Sequence, residues 1–274
     1  MAGVVASAIA PHSPRMADEE NAPDFVRPLI AGARELGDVL RALEPDLFVV
    51  NSTHWVSSFN WYATCQAVHQ GVCVADEAPD MIPGLAYKRT GDPDFAHAFI
   101  DAVCERGWTC FANTSEHYHW DYGGLVPLLY IDPDGEVPVV QIPTVIMADL
   151  DEALDIGRLV HTAAQRAGKR VVYISSTALS HELVRGPDKW PTDERQALDR
   201  RFIDLACAGD IDALKSWLPD FCRDGVVEMG GRVVATFLGS LDAWGDVTIS
   251  GRQYGAYGQS SGSGNVSLAV IPSD

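Results

Sequence analysis

Apolar positions along the chain follow two alternating rhythms. Short runs at residues 4–9, 46–51, 137–142 and 170–175 are apolar on both faces, as strands in a sheet covered by helices must be. Longer stretches with a helical repeat lie between them. Residues 25–43 place Val26, Leu29, Ile30, Ala33, Leu36, Val39, Leu40 and Leu43 on one stripe, which has the 3.6-residue period of an amphipathic helix. Residues 94–105 and 149–167 repeat the pattern. Gly107 and Gly168 stand just past their ends, where a left-handed residue closes a helix. From about Thr192 two further helices are expected, and a third over residues 225–244. A strand at 247–249, a Gly/Ser-rich loop at 251–264 and a last strand at 266–271 complete the pattern.

This alternation predicts an α/β fold, a three-layer α/β/α sandwich around a mostly parallel central sheet. No internal repeat and no linker-like stretch divides the 274 residues, so a single domain over 1–274 is expected. Residues 76–94 and 251–264 are the long irregular stretches, and long loops in a compact domain commonly carry function.

Composition narrows the setting. There are 38 acidic against 20 basic residues, a net charge of −18. Such a surface repels phosphate backbones, so nucleic acid is not an expected partner. The longest apolar runs, such as residues 125–131, are too short to span a bilayer. The first residues lack the basic and apolar regions of a secretion signal. The expected location is the cytoplasm, without membrane attachment. The six cysteines form no CxxC pair, which points to reduced thiols rather than a disulfide framework or zinc ribbon.

In open α/β sheets, ligands bind beyond the carboxyl ends of the strands. Three histidines fall there. His12 follows the first strand in Ala10-Pro11-His12, His54 follows the second in Ser52-Thr53-His54-Trp55, and His181 follows the run at 170–175 in Leu179-Ser180-His181. Two histidines and one carboxylate on one face of a metal leave other positions open, the usual arrangement of oxygen-activating iron(II) sites. Glu228, at the expected start of the helix 225–244, is the carboxylate candidate, with Glu182 and Glu116 as rivals. An acid at a helix start also suits the helix dipole without any metal.

These motifs, in this order and together with Asp121-Tyr122-Gly123-Gly124, resemble the class III extradiol ring-cleavage dioxygenases from residue 3 to about residue 271. The resemblance implies that His12, His54 and Glu228 hold iron(II), which a catechol or 2-aminophenol substrate chelates while O2 takes a remaining position. It implies that His181 moves protons and that Tyr122 donates a hydrogen bond to substrate or oxygen. It also brings residues 251–264 back to the site, with Tyr257 as a substrate contact. Such enzymes assemble as homo-oligomers or as hetero-oligomers with a related subunit.

Further expectations concern the pocket. Trp55, Trp61 and Trp120 are candidates for an aromatic wall, with Trp55 as a substrate contact. His117 and His119 lie two apart, with His119 expected to reach substrate from a polar loop at the pocket mouth. Arg185, Lys189 and Arg252 are the basic residues near enough to the motifs to meet a substrate carboxylate. Three other readings stay open: a non-catalytic partner subunit, a zinc hydrolase using the same three ligands, or a binding module on the same fold.

Overall fold

The computed structural model describes residues 2–82, 84–245 and 247–272. In chain order its elements are β1 (Gly3–Ala10), α1 (Arg27–Ala42), β2 (Leu47–Ser57), β3 (Trp61–Thr64), β4 (Val68–Val72), β5 (Ala86–Thr90), α2 (Pro93–Arg106) and β6 (Cys110–Asn113). Then come α3 (Tyr122–Leu125), α4 (Leu128–Ile131), β7 (Val139–Val145), α5 (Leu150–Ala167), β8 (Arg170–Ser176), α6 (Asp193–Ala208), α7 (Ile211–Asp224), α8 (Arg232–Asp242), β9 (Ile249–Ser260) and β10 (Ser263–Pro272).

Six strands form the central sheet in the order β7-β2-β8-β1-β10-β9. The first four run parallel, while β10 is antiparallel to β1 and β9 antiparallel to β10. Successive side chains of a strand point to opposite faces, and the core divides accordingly. Leu47, Val49, Val171 and Tyr173 pack on the side of α2, α5, α6 and α8, while Phe48, Val50, Val172 and Ile174 pack on the side of α1 and α4. Full burial of each such side chain contributes about 1.5–3 kcal/mol. Helix ends follow local chemistry. Asp92 and Asp149 cap α2 and α5 by accepting the Phe95 and Glu152 backbone N–H groups. Gly107 and Gly168 close the same helices in the left-handed conformation, as expected from sequence.

Four expectations need correction. The Gly/Ser-rich stretch 251–264 is no loop: it is most of the β9–β10 hairpin, turning at Ser261-Gly262. Its glycines permit close packing; a Cβ on Gly255 would lie 2.6 Å from the Gly32 Cα on α1. The expected strand 247–249 is only the approach to β9, which begins at Ile249. The helix expected over 225–244 is broken, because Val226, Met229, Gly230 and Gly231 all have positive φ, and α8 begins only at Arg232. Residues 61–113 contain β3 to β6, paired as two small sheets, β3 with β6 and β4 with β5, which hydrophobic periodicity did not announce. No helix among the described residues is long and apolar enough to cross a membrane.

Candidate active site

β2, β8 and β1 are neighbours in the sheet, so their carboxyl ends bring His54, His181 and His12 to one place. β1 ends at Ala10, two residues before His12. β2 pairs with β8 as far as Ser52, and its pairing with β7 is irregular between Asn51 and Val56. His54 lies in that irregular stretch. Glu228 arrives from elsewhere, on the tight turn between α7 and α8. Its N–H donates to the Leu179 carbonyl at 3.1 Å, and Val227 bridges Ser180. Val226 and Met229, flanking Glu228, occupy the left-handed region, at a cost of about 1–2 kcal/mol each.

The side chains converge. His12 Nε2 lies 3.1 Å from His54 Nε2 and 3.4 Å from Glu228 Oε1, and His54 Nε2 lies 3.9 Å from the same oxygen. Among the described residues these three form a group able to hold a metal ion, with one ligand atom from each. Ligands bound at about 2.1 Å in neighbouring positions on one ion stand about 3 Å apart, so the donor set fits a divalent cation. The remaining oxygen of Glu228 accepts from the Ala178 N–H at 2.6 Å and from Thr177 Oγ1 at 3.1 Å. One carboxylate oxygen is thus anchored and the other is presented to the histidines.

Protonation suits the same purpose. Burial pushes the Glu228 carboxyl up, but His12, His181 and His54 outweigh it and hold the group well below the usual carboxylate range. Burial, then the neighbouring His12, lowers the His54 imidazole. His54 Nδ1 meets Glu77 Oε1 at 2.6 Å, which fixes the proton on Nδ1 and leaves the Nε2 lone pair toward the cluster. The other nitrogen of His12, Nδ1, is buried without a hydrogen-bond partner among the described residues.

The Asp121-Tyr122-Gly123-Gly124 motif holds one wall. Asp121 caps α3 by accepting the Gly124 N–H at 2.9 Å and also accepts from Ser52 Oγ at 2.6 Å, while Ser52 Oγ accepts the His54 N–H. This chain of bonds seats Tyr122 on His54, ring centroids 4.1 Å apart. Burial, then Glu77, keeps the Tyr122 hydroxyl protonated far beyond neutral pH. His181 also lines the site, with Nε2 3.3 Å from Glu228 Oε1. Its loop is fixed by Ser180, whose N–H and hydroxyl both donate to the buried carboxylate of Asp199. Above the cluster opens a cavity of about 430 Å³, lined by His12, His54, Tyr122 and His181, by apolar Pro14, Ala78, Met81, Leu183 and Val184, and by polar residues at the β9–β10 turn. That volume lies within the range of ligand pockets, roughly 300–1,000 Å³.

The sequence matches the family described as the catalytic LigB subunit of aromatic ring-opening dioxygenase over residues 6–263. The chain belongs to the LigB family. It is 24% identical over 249 residues to the 2-aminophenol 1,6-dioxygenase beta subunit of a Pseudomonas species, covering 82% of this chain and 81% of that one. It is 23% identical over 199 residues to the 3,4-dihydroxyphenylacetate 2,3-dioxygenase of Escherichia coli, covering 70% and 72% of the two chains. The crystal structure of an uncharacterized protein from Escherichia coli K12 has the same fold, with a TM-score of 0.69 at 17% identity over 97% of this chain and 99% of that one.

Within this LigB-family chain, the structure gathers five of the eight expected site residues: His12, His54, Glu228, His181 and Tyr122. Three lie outside the cavity lining. Tyr257 points its hydroxyl at Asp199 Oδ2, 2.6 Å away, because β9 runs behind the His181 loop. Trp55 packs on Tyr118 beside a separate groove, since its neighbour His54 takes the inward position on the strand. His119 is exposed on a loop beside Gly71. Among the described residues no tryptophan lines the cavity: Trp61 and Trp120 are fully buried in the core, and apart from Tyr122 the apolar part of the lining is aliphatic. Of the rival acids, Glu182 pairs with Arg195 on the surface and Glu116 is exposed. Glu77 and Arg15, which line the cavity, escaped sequence reading. Glu77 sits in an irregular stretch without periodicity, and Arg15 follows His12 with no motif of its own.

Proposed function

We propose that the protein is an iron(II)-dependent extradiol dioxygenase. It opens the ring of a catechol or 2-aminophenol beside the two adjacent heteroatoms and places both atoms of O2 in the product. The observation that carries this reading is the meeting of His12, His54 and Glu228 at the floor of a cavity whose wall holds a further imidazole, His181. Two nitrogens, one carboxylate and no sulfur, open on one side, are the donor set of non-haem iron(II) oxygenases. Bound iron would supply one coordination sphere in which substrate and O2 exchange electron density.

The chain's own groups do the rest. His181 Nε2 accepts the proton of a substrate hydroxyl and returns it as the ring opens, a task suited to an imidazole. Tyr122 keeps its proton and donates a hydrogen bond to substrate or oxygen. Pro14, Met81, Leu183 and Val184 receive the flat ring and exclude water. The oligomer is proposed to be a homo-oligomer or one with a related subunit, since both the beta and the alpha subunits of 2-aminophenol 1,6-dioxygenase are among the relatives.

The test is anaerobic loading with iron(II), then exposure of a catechol and aminophenol panel to labelled O2. The expected result is one O2 consumed per ring opened, with both labelled atoms in the yellow product. Iron-loaded protein that consumes no O2 with any member sinks the reading, as does purified protein holding stoichiometric zinc and hydrolysing esters.

A further inference from the structure

Most of the sixteen arginines of this acidic chain are engaged. Fourteen make a side-chain hydrogen bond or an ion pair, or lie over an aromatic ring; examples are Arg34 with Glu19, Arg89 with Asp132, and Arg201 over Trp217. Arg252 likewise lies over Tyr254. Among the described residues, Arg15 and Arg185 alone make none of these contacts, and both line the cavity above the metal-binding group. Acids are abundant in a chain of net charge −18, and arginines without one, such as Arg232 and Arg201, bond a carbonyl or cover an aromatic ring instead; Arg15 and Arg185 have neither. Two such groups meeting at one cavity form a local positive site against the field of the whole surface.

Both are set on anchored backbone. Arg15 belongs to a short 3-10 turn, Pro14–Met16, three residues after His12, and the preceding Ser13 hydroxyl bonds the Ser260 hydroxyl at 3.0 Å. Arg185 lies four residues after His181. Its loop is stitched to the β9–β10 turn by the Val184 N–H on the Ser261 carbonyl and the Ser261 N–H on the Pro187 carbonyl. The β9–β10 turn therefore ties the two arginine-bearing segments together.

We infer that Arg15 and Arg185 select a substrate whose ring bears a carboxylate-containing substituent, held by the guanidinium forks while the two adjacent heteroatoms face His12, His54 and Glu228. This rests on the proposed dioxygenase reading and specifies its substrate class. An arginine fork matches a carboxylate in two parallel hydrogen bonds. The cavity's own acids are engaged elsewhere, Glu77 on His54 Nδ1 and Glu228 on the Ala178 N–H and the imidazoles, so a neutral catechol would bring neither guanidinium a carboxylate partner. Arg15 is half-buried and Arg185 exposed, so solvent screens the second more strongly, and Arg15 carries the larger share.

The experiment compares wild type with Arg15→Gln, Arg185→Gln and the double variant, each loaded anaerobically with iron(II). Binding of 3,4-dihydroxybenzoate, 3,4-dihydroxyphenylacetate and catechol is measured by titration calorimetry without O2, and kcat/KM is then measured with O2. The wild type is expected to favour at least one carboxylated compound over catechol. Arg15→Gln is expected to lower that preference about 10- to 100-fold, as loss of a charged hydrogen-bond partner does, and Arg185→Gln by less. Arg15→Lys is expected to restore only part of it, since ammonium lacks the fork. A preference that is absent in the wild type, or equal in wild type and double variant, overturns the inference. The two readings fail separately: failed ring cleavage counts against the dioxygenase, while the oxygen-free binding still decides the arginines.

Discussion

At the residue scale the decisive side chain is Glu228, 3% exposed and ionised, with one oxygen anchored by Ala178 and Thr177 and the other facing three imidazoles. Replacing it with Ala removes the only carboxylate of the group. Glu228→Ala is expected to lose iron on anaerobic gel filtration with its circular dichroism retained, while Glu182→Ala keeps iron, since that side chain pairs with Arg195 on the surface. The reverse pattern would transfer the ligand role to Glu182. His181 contacts Glu228 but is not one of the three converging residues able to hold an ion. His181→Asn is therefore expected to retain iron and slow turnover by about 10²–10⁴, the usual contribution of a general acid–base. Substrates with electron-poor rings, which ionise more readily, should suffer less. A variant that loses its iron instead would make His181 a ligand. The histidines at 12, 54 and 181 were legible in the sequence because each follows a strand-like run. Glu228 was named as an acid at an expected helix start and through the motif order, but the turn that presents it depends on left-handed backbone at Val226 and Met229, which periodicity does not encode.

Two elements hold the pocket walls. The short helix α3 approaches β2 so closely that a Cβ on Gly123 would sit 2.5 Å from Ser52 Oγ and 3.1 Å from the His54 ring. Gly123→Ala must push α3 away or displace His54. Overpacking of this kind costs about 1–3 kcal/mol, read as a lower urea midpoint, and iron binding should weaken with it. Equal midpoints would show that α3 tolerates the methyl group. The second element is the His181 loop, braced on α6. Asp199 there is fully buried and accepts from the Ser180 N–H, the Ser180 hydroxyl and the Tyr257 hydroxyl. Asp199→Asn replaces one acceptor atom with a donor that faces donors, a cost of about 1–3 kcal/mol. Turnover should fall while iron content holds, and equal loss of iron would place its effect on the ligands instead. Sequence reading assigned the parallel core strands and long helices well, because their burial on both faces or one stripe leaves a clear period. It missed β9 and β3 to β6. In the β9–β10 hairpin, glycines that admit α1 at Gly255 and Asp199 of α6 at Gly264 look like loop composition; in β3 to β6, strands of four or five residues are too short to show a period.

For the whole molecule, acid stability sets two effects of opposite sign against each other. The 38 carboxylates against 20 basic groups repel one another at neutral pH, and protonating them as pH falls relieves that repulsion. His69 acts the other way. It is 4% exposed, its Nε2 donates to the Val139 carbonyl at 3.2 Å, and its ring lies 5.1 Å from that of Trp120. Burial lowers its pKa to about 4, with the Val139 carbonyl opposing. In the unfolded chain an imidazole titrates near 6.5. Between those values the unfolded state binds a proton that the folded state refuses, so stability from this group is complete above about pH 6.5 and falls as pH drops toward 4. A gap of roughly 2.5 pH units corresponds to about 3 kcal/mol. The carboxylates contribute equally to wild type and to His69→Gln, so the difference between their urea-unfolding free energies isolates the histidine. The stability advantage of wild type over His69→Gln should shrink by about 3 kcal/mol between pH 7.5 and pH 4, most steeply below pH 6. A pH-independent difference would mean that the imidazole takes up its proton in the folded protein without penalty, and that Gly91, whose Cβ would stand 2.6 Å from the His69 Nε2, leaves room for water to reach it.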